Sequence, residues 1–208
     1  MSRFTIVGPT WRTSYIQDNF PSHHTLFCST EIPDIKTLEN SDFFITCGFD
    51  RRIKEDVLSL FNPLNRLNIH ATYLPFGKGI GTALFSLLYP TPLGSSIHVL
   101  RPKIDTGEVI CQAILNPPPS ITTQRELYHC WVIHASRLFL DNIDAIAELH
   151  LPLLSQSNQF NTPYISRDES ELILSLLPKR WDSSLREVNN LSHVLAFRSS
   201  YFLLNDID

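Results

Sequence analysis

A continuous apolar run, FFITCGF at residues 43–49, is the feature that most constrains the fold of this chain. A run that does not alternate with polar residues is typical of a strand buried on both faces of a sheet. Shorter apolar runs at residues 4–7 and 24–28 precede it, and a pattern with helical spacing follows it over residues 50–62. Strand and helix patterns therefore alternate along the first part of the chain, which predicts a mostly parallel sheet.

Helix starts and further strands can be predicted beyond this run. Thr123, with Glu126 three residues later, is a capping-box pattern, and we expect the long helix after it to reach about residue 150. Thr10 is a candidate N-cap for the first helix. We also expect a helix over residues 82–88, and strands over three ranges, 66–74, 95–100 and 109–115. The predicted fold class is α/β, with a Rossmann-like, open, mostly parallel twisted sheet, flanking helices and one antiparallel pair.

The composition is that of a globular protein that handles small molecules. Apolar residues make up 43% and charged residues 18% of the chain. A formal net charge of −4 argues against nucleic acid as a partner, because domains that bind phosphate backbones are usually basic. No run approaches the roughly 18 apolar residues that a membrane span needs, and the N-terminus lacks a secretory pattern. We therefore expect a cytoplasmic protein that binds neither nucleic acid nor membrane.

Cysteine and histidine patterns give no indication of a metal site. The four cysteines, at positions 28, 47, 111 and 130, form no C-x-x-C pair and are interpreted as buried free thiols. His23 and His24 are adjacent but have no acidic or cysteine partner at ligand spacing along the chain. His98 is interpreted as structural.

Three polar residues form the candidate site. Asn68 and His70 are two residues apart on a predicted strand, so their side chains point the same way, close to the end of that strand. Ligands of open α/β sheets gather at such ends. Asp105 lies in the loop between the two later strands, where Gly107 permits a tight turn. An amide, an imidazole and a carboxylate in one crevice suit acyl transfer, although spacing alone indicates a site and not a reaction.

An ordered set of motifs surrounds these three residues and resembles the 10-formyltetrahydrofolate-dependent formyltransferase family, over about a third of the chain (residues 42–115). The sequence from Thr91 to Gln112 is most similar to the sugar N-formyltransferase branch. The motifs are Asn68-Ile69-His70, Tyr73-Leu74-Pro75, Gly77-Lys78-Gly79, Gly94-Ser95-Ser96-Ile97-His98 and Asp105-Thr106-Gly107.

The resemblance implies a reaction and roles for particular residues. It implies an N-formyltransferase with 10-formyltetrahydrofolate as co-substrate, in which Asn68 and His70 stabilise an oxyanion, His70 transfers a proton, and Asp105 orients His70. The implied folate-binding residues are Phe49, Arg51, Ile53, Arg101, Lys103 and Ile104. The candidates for binding the acceptor are Thr72, Lys78, Arg12 and Trp11, since arginine suits phosphate or carboxylate and tryptophan offers a stacking surface for a base.

Departures from the family pattern leave the acceptor open. Ala71-Thr72 stands where the family often has Pro-Ser, Lys78 takes the usual arginine position, and the N-terminal half is shorter. An amino sugar, nucleotide-linked or a nonulosonic acid precursor, is favoured. Initiator tRNA is disfavoured by the charge, and glycinamide ribonucleotide by the lack of a glycine- and asparagine-rich loop after the first strand. A non-catalytic folate-binding module is the alternative of another class.

The predicted domain organisation is a catalytic domain over residues 1–152 and a C-terminal extension over residues 153–208. We expect that extension to pack on the core or to form a homodimer contact. Val194, Leu195 and Phe197 are its apolar candidates for that contact.

Overall fold

The computed structural model describes residues 1–79, 81–89, 91–156 and 166–195, without the side chains of residues 82, 83, 85 and 192–195. Six strands form one sheet in the order β2-β1-β3-β4-β5-β6. They are β1 (Arg3–Val7), β2 (Thr25–Ser29), β3 (Phe43–Cys47), β4 (Arg66–His70), β5 (Gly94–Val99) and β6 (Val109–Ile114). The helices are α1 (Thr10–Asp18), α2 (Ile35–Glu39), α3 (Glu55–Leu58), α4 (Thr82–Leu88), α5 (Gln124–Asp141), α6 (Ile143–Ala147), α7 (Arg167–Ser175) and α8 (Leu185–Leu195).

The sheet is parallel in its first half and antiparallel in its second. β1 pairs in parallel with β2 and β3, and β3 pairs in parallel with β4. β5 runs antiparallel to both β4 and β6. This confirms the predicted open, mostly parallel α/β sheet, but the late part of the chain forms two antiparallel pairings where one was predicted.

Both faces of β3 are covered, as its uninterrupted apolar run predicts. Ile45 packs into the main core, to which α5 and α6 contribute Phe139 and Ile143. Phe44 points to the opposite face and packs with Phe61 in a second cluster. All five residues of β3 are buried, so the strand has no solvent-facing side.

Several predicted elements are shorter in the structure. The helical pattern over residues 50–62 yields only the single turn of α3, because Ile53 and Phe61 pack around Phe44 from positions outside the helix. The strand predicted over residues 66–74 ends at His70. Beyond it, the Leu74 backbone N–H donates to the Ser96 hydroxyl rather than to a neighbouring strand.

The helix starts and stops also differ in part from the prediction. Thr123 and Glu126 do form the capping box of α5. That helix ends at Asp141 and not near residue 150, since the Asn142 side chain donates to Leu138 O and the chain then starts α6. Thr10 is the first residue of α1 and not its N-cap; Pro9 takes that position, without a side-chain cap.

The described C-terminal segment, residues 166–195, packs against α4. Leu84 and Leu88 of α4 form an apolar cluster with Leu174 of α7, with Leu177 from the segment after α7, and with Val188 of α8. The proposed contact residue Phe197 lies outside the described residues, as do the side chains of Val194 and Leu195. Within the described part of the chain, none of the helices is both long and apolar enough to cross a membrane.

The cysteines and the adjacent histidines have distinct environments. All four cysteines are free thiols, and burial raises the pKa of the Cys47 thiol to about 11.

The histidine pair His23 and His24 has an acidic partner that the spacing along the sequence did not reveal. His23 Nε2 and His24 Nε2 lie 2.7 and 2.9 Å from Asp144 Oδ1 of α6. The Ser2 backbone N–H donates to His24 Nδ1, so the proton of a neutral His24 ring stays on Nε2, where it faces Asp144.

Candidate active site

Three polar side chains lie next to one another on three neighbouring strands. The register pairs Thr46 of β3 with Asn68 of β4, and Asn68 with His98 of β5. Residues paired in this way project from the same face of a sheet, so their side chains meet. The Thr46 hydroxyl donates to Asn68 Oδ1 at 2.8 Å, and Asn68 Nδ2 lies 3.0 Å from His98 Nε2. The Asn68 carboxamide is therefore held between its two neighbours.

His70 follows Asn68 on the same face of β4 and is buried. Its Nε2 lies 3.1 Å from Gly77 O. Because a carbonyl oxygen can only accept, this contact keeps the proton of a neutral ring on Nε2. Nδ1 then carries a lone pair, and it lies 3.9 Å from Asp105 Oδ1. An unprotonated imidazole nitrogen beside a carboxylate is well suited to take up a proton.

Asp105 is brought to this group by the loop between β5 and β6. It is buried, with a backbone φ of 51°, in the left-handed region that non-glycine residues seldom adopt. Its Oδ2 accepts from the Gly79 N–H at 2.8 Å, and its Oδ1 lies 3.4 Å from both Asn68 Nδ2 and His98 Nε2. The Gln156 side chain donates to the backbone oxygens of Asp105 and Gly107 and so fixes the loop.

Burial and polar contacts act in opposite directions on Asp105. Burial disfavours the carboxylate, but His70, His98 and the Gly79 N–H together outweigh it and hold the pKa of Asp105 well below its ordinary value. Burial also lowers the pKa of His70, against the opposing effect of Asp105. The site therefore contains an ionised carboxylate and a neutral imidazole at neutral pH.

The His98 ring is oriented by the backbone. Its Nδ1 donates to Val99 O at 2.9 Å, so Nε2 of the neutral ring accepts from Asn68 Nδ2. Ligand atoms of His70, His98 and Asp105 lie within 4.8 Å of one another, a separation that a metal site would also have. In this structure the three side chains are oriented by hydrogen bonds: His70 with Gly77 O, His98 with Val99 O and Asn68, and Asp105 with the Gly79 N–H.

This group forms part of the wall of a cavity of about 480 Å³. Part of the lining, here called the apolar flank, is apolar, and another part contains aromatic, polar and charged side chains, most of them from α1, α5 and the C-terminal segment. The apolar flank consists of Phe49, Ile53, Leu58, Leu100, Pro102 and Ile104; the other contains Arg12, Asp50, Tyr128, Arg167, Ser170, Glu171 and Trp181.

Comparisons with known proteins point to one family. The family models that were searched do not match the chain. Over 107 residues, 51% of its length, the chain is 28% identical to the methionyl-tRNA formyltransferase of Roseiflexus castenholzii, and it spans only 34% of that protein. The formyltransferase PseJ from Anoxybacillus kamchatkensis, in complex with UDP-4,6-dideoxy-4-formamido-L-AltNAc and tetrahydrofolate, matches with a TM-score of 0.75 and 25% identity. That match covers 89% of this chain and 97% of PseJ.

The chain is similar to formyltransferases in both sequence and structure. A further neighbour is the N-formyltransferase from Helicobacter canadensis, in complex with folinic acid and dTDP-3-aminofucose. The match covers 81% of this chain and 72% of the Helicobacter canadensis chain, with a TM-score of 0.64 and 21% identity. At this identity it supports the fold alone. The resemblance found in the sequence is confirmed at the level of the family.

Most of the predicted site residues line the cavity. The lining contains the group Asn68, His70 and Asp105, together with Arg12, Phe49, Arg51, Ile53, Arg101 and Ile104. Two of the arginines are paired with carboxylates. Arg51 lies over the Phe49 ring at 4.8 Å and forms an ion pair with Glu31, and Arg101 binds Glu108 through two guanidinium nitrogens.

Four predicted residues lie outside this lining. Thr72 is completely buried and its hydroxyl donates to Gly77 O, so it holds the loop after β4 and is not available to an acceptor. Lys103 is exposed on the Asp105 loop. Lys78 is half-buried, which lowers its pKa despite the nearby Asp105. Trp11 is half-exposed and reaches the site only through its contacts with Arg12 and Tyr128.

Several residues of the site come from distant parts of the chain and were not predicted from the sequence. Thr46 appeared only as part of an apolar strand, and His98 was interpreted as structural, yet both contact Asn68. Tyr128 and the α7 residue Arg167 gave no motif at all. A polar residue within an otherwise apolar buried strand, as at Thr46, is the one pattern that could have indicated its role.

Proposed function

We propose that the protein is an N-formyltransferase that moves a formyl group from 10-formyltetrahydrofolate to the amine of an amino sugar. The acceptor is nucleotide-linked or a nonulosonic acid precursor. The observation that carries this proposal is the convergence of Asn68, His70 and Asp105 on one cavity, in a chain whose match to PseJ extends over 97% of that protein.

The apolar flank of the cavity suits the flat ring system of a folate. Ile53, Leu58 and Leu100 offer apolar surface, and Ile104 is half-exposed at the edge of the Asp105 loop. When bound, 10-formyltetrahydrofolate supplies the formyl carbon that an amine attacks. Phe49 and Pro102 are further apolar residues of the lining.

The polar group has the donors and acceptors that formyl transfer requires. The Asn68 Nδ2 protons can stabilise negative charge on an oxygen within the cavity, in the manner of an oxyanion hole. The unprotonated Nδ1 of His70 can accept a proton released by an attacking amine. The protonated ring is then stabilised by Asp105, whose Oδ1 lies 3.9 Å from that nitrogen. The Gly77 carbonyl keeps the other ring nitrogen in the donor form.

An amino sugar is the acceptor that fits this chain better than the other amines of the family. The net charge of −4 is unfavourable for binding tRNA. The matched neighbours PseJ and the Helicobacter canadensis enzyme were crystallised with nucleotide-linked sugars. The charged and aromatic side of the cavity provides groups for such a ligand.

The direct test measures acceptor-dependent release of tetrahydrofolate. The full chain is incubated with 10-formyltetrahydrofolate and a panel of amino sugars, both free and linked to UDP or dTDP, with initiator methionyl-tRNA and glycinamide ribonucleotide included. We expect turnover with at least one amino sugar and loss of turnover in His70→Ala. The control His150→Ala, which removes an exposed histidine paired with Glu148, should remain active.

Two outcomes would contradict the proposal. Turnover restricted to tRNA or glycinamide ribonucleotide would assign a different acceptor class. Binding of folate without turnover on any amine would indicate a non-catalytic folate-binding module.

A further inference from the structure

We infer that Arg12 is the residue that binds the diphosphate of a nucleotide-linked amino sugar. The inference deepens the proposed function and rests on it, because it names the acceptor class and the side chain that recognises it. Among the described residues, Arg12 is the cavity-lining cation whose side chain has a buried donor without a partner.

The position of Arg12 is fixed by packing rather than by hydrogen bonds. Its guanidinium carbon lies 5.0 Å from the centre of the Trp11 ring and 5.1 Å from that of Tyr128. The side chain also runs directly over Gly48, where an added Cβ would lie 2.2 Å from Arg12 Cδ and 2.3 Å from Nη1. A glycine at position 48 therefore leaves the room that the arginine occupies, and two aromatic faces hold its planar group in place.

The charge of Arg12 lacks a hydrogen-bonded counter-ion within the described part of the chain. Its Nε is buried without a partner there. Asp50 is a nearby carboxylate, but it is bound at 2.6 Å by Arg167. The thiol of Cys47 is no alternative, because burial raises its pKa to about 11 and keeps it neutral. A buried, unpaired guanidinium is costly, and an oxyanion from a ligand in the cavity would supply the missing partner.

The surroundings of Arg12 favour a nucleoside diphosphate over a sugar carboxylate. Tyr128 and Trp181 line the same flank of the cavity, with ring centres 5.4 Å apart. A nucleoside diphosphate presents a flat base close to its phosphates, whereas a nonulosonic acid has a carboxylate but no aromatic ring. The aromatic rings match the base of a nucleoside diphosphate, and the arginine beside them matches its phosphates.

Binding measurements on the full chain, without folate, test this inference. UDP and dTDP are titrated calorimetrically into the wild type, Arg12→Gln, Arg12→Lys and the control Arg137→Gln. Arg137 also lies over an aromatic ring, that of Tyr15 at 5.6 Å, but is outside the cavity lining, so the control loses a charge and the same kind of contact. Thermal unfolding of each variant verifies that it is folded.

We expect Arg12→Gln to weaken the binding of UDP or dTDP at least tenfold, and Arg12→Lys to weaken it several-fold because lysine lacks the planar fork. Arg137→Gln should stay within twofold of the wild type. The affinity for uridine or thymidine, which carry no phosphate, should be the same in the wild type and Arg12→Gln.

Three results would overturn the inference. They are equal affinity of the wild type and Arg12→Gln for both diphosphates, an equal loss of affinity for the nucleosides, and Arg12-dependent binding of N-acetylneuraminic acid in place of the diphosphates. Different results reject the inference on Arg12 and the proposed function. Turnover on an amino sugar together with diphosphate binding that is independent of Arg12 rejects this inference alone. Arg12-dependent diphosphate binding without turnover on any amino sugar rejects the proposed function alone.

Discussion

Asn68 and His98 face each other across the antiparallel strands β4 and β5, with Asn68 Nδ2 3.0 Å from His98 Nε2. Since Thr46 donates to Asn68 Oδ1, the orientation of the carboxamide is determined, and both Nδ2 protons point toward His98 and Asp105. The contact with Asp105, at 3.4 Å, is the longer of the two and therefore the weaker. An oxyanion in the cavity can replace it at the smaller cost.

The hydroxyl of Thr46 should matter for rate through its effect on Asn68. Thr46→Val keeps the shape of the side chain but removes the donor to Asn68 Oδ1, so the carboxamide can rotate. Loss of one hydrogen bond of about 1 kcal/mol predicts a roughly fivefold lower kcat. KM for folate should be unchanged, and Thr46→Ser should restore the rate. Steady-state kinetics measure both parameters, and an unaltered kcat in Thr46→Val would show that Asn68 needs no support.

The charge of Asp105 should be essential. Asp105→Asn keeps an oxygen that can accept from the Gly79 N–H but cannot stabilise a protonated His70. We expect single-turnover formyl transfer to fall by about 10² or more, in the range found when general acid–base groups are removed. Folate affinity, measured by fluorescence titration, should stay within a few-fold. A fully active variant would mean that the carboxylate is not needed.

The sequence predicted those parts of the fold and site that depend on local pattern. The buried run of β3, the capping box at Thr123 and the shared face of Asn68 and His70 all follow from the periodicity of helices and strands and from cap chemistry. The lengths of α3 and β4 did not follow, because tertiary packing of Ile53 and the Leu74–Ser96 hydrogen bond determine where these elements end.

The part of the site that could not be predicted depends on pairing between distant strands. Thr46 and His98 meet Asn68 only because of the sheet register, and a shift of one residue would turn either side chain to the other face. Tyr128 and Arg167 reach the cavity from α5 and α7, which are far away in the sequence. The periodicity of a single sequence indicates local helices and strands directly, but it does not indicate strand register or helix docking in the same way.

The buried His70 should make the stability of the fold depend on pH. Burial lowers the pKa of folded His70 below the value of about 6.5 expected in the unfolded chain. As the pH falls below about 6.5, the unfolded chain binds a proton that folded His70 does not, so the free energy of unfolding decreases. This contribution is present above pH 6.5 and is lost as the pH falls toward the pKa of folded His70.

Urea unfolding of the wild type and His70→Gln between pH 7.5 and 5 measures this effect. We expect the wild type to lose more stability over this interval than His70→Gln, while the exposed-histidine control His150→Gln behaves like the wild type. Parallel pH dependences for the wild type and His70→Gln would show that His70 does not titrate differently in the two states.

The last prediction concerns Gly107, two residues after Asp105. A Cβ at this position would lie 1.8 Å from Val99 O and 2.7 Å from Val99 C, and both are backbone atoms of the core strand β5. Because the sheet cannot yield, Gly107→Ala must displace the loop that carries Asp105. We expect a loss of about 3 kcal/mol in the free energy of unfolding, at the upper end of overpacking effects, and a larger fractional loss of formyl transfer than of folded protein. Thr106→Ala, in the same loop but without an added atom, should change stability by no more than about 0.5 kcal/mol. If Gly107→Ala unfolds at the same urea concentration as the wild type, the close approach of the loop to β5 is not what positions Asp105.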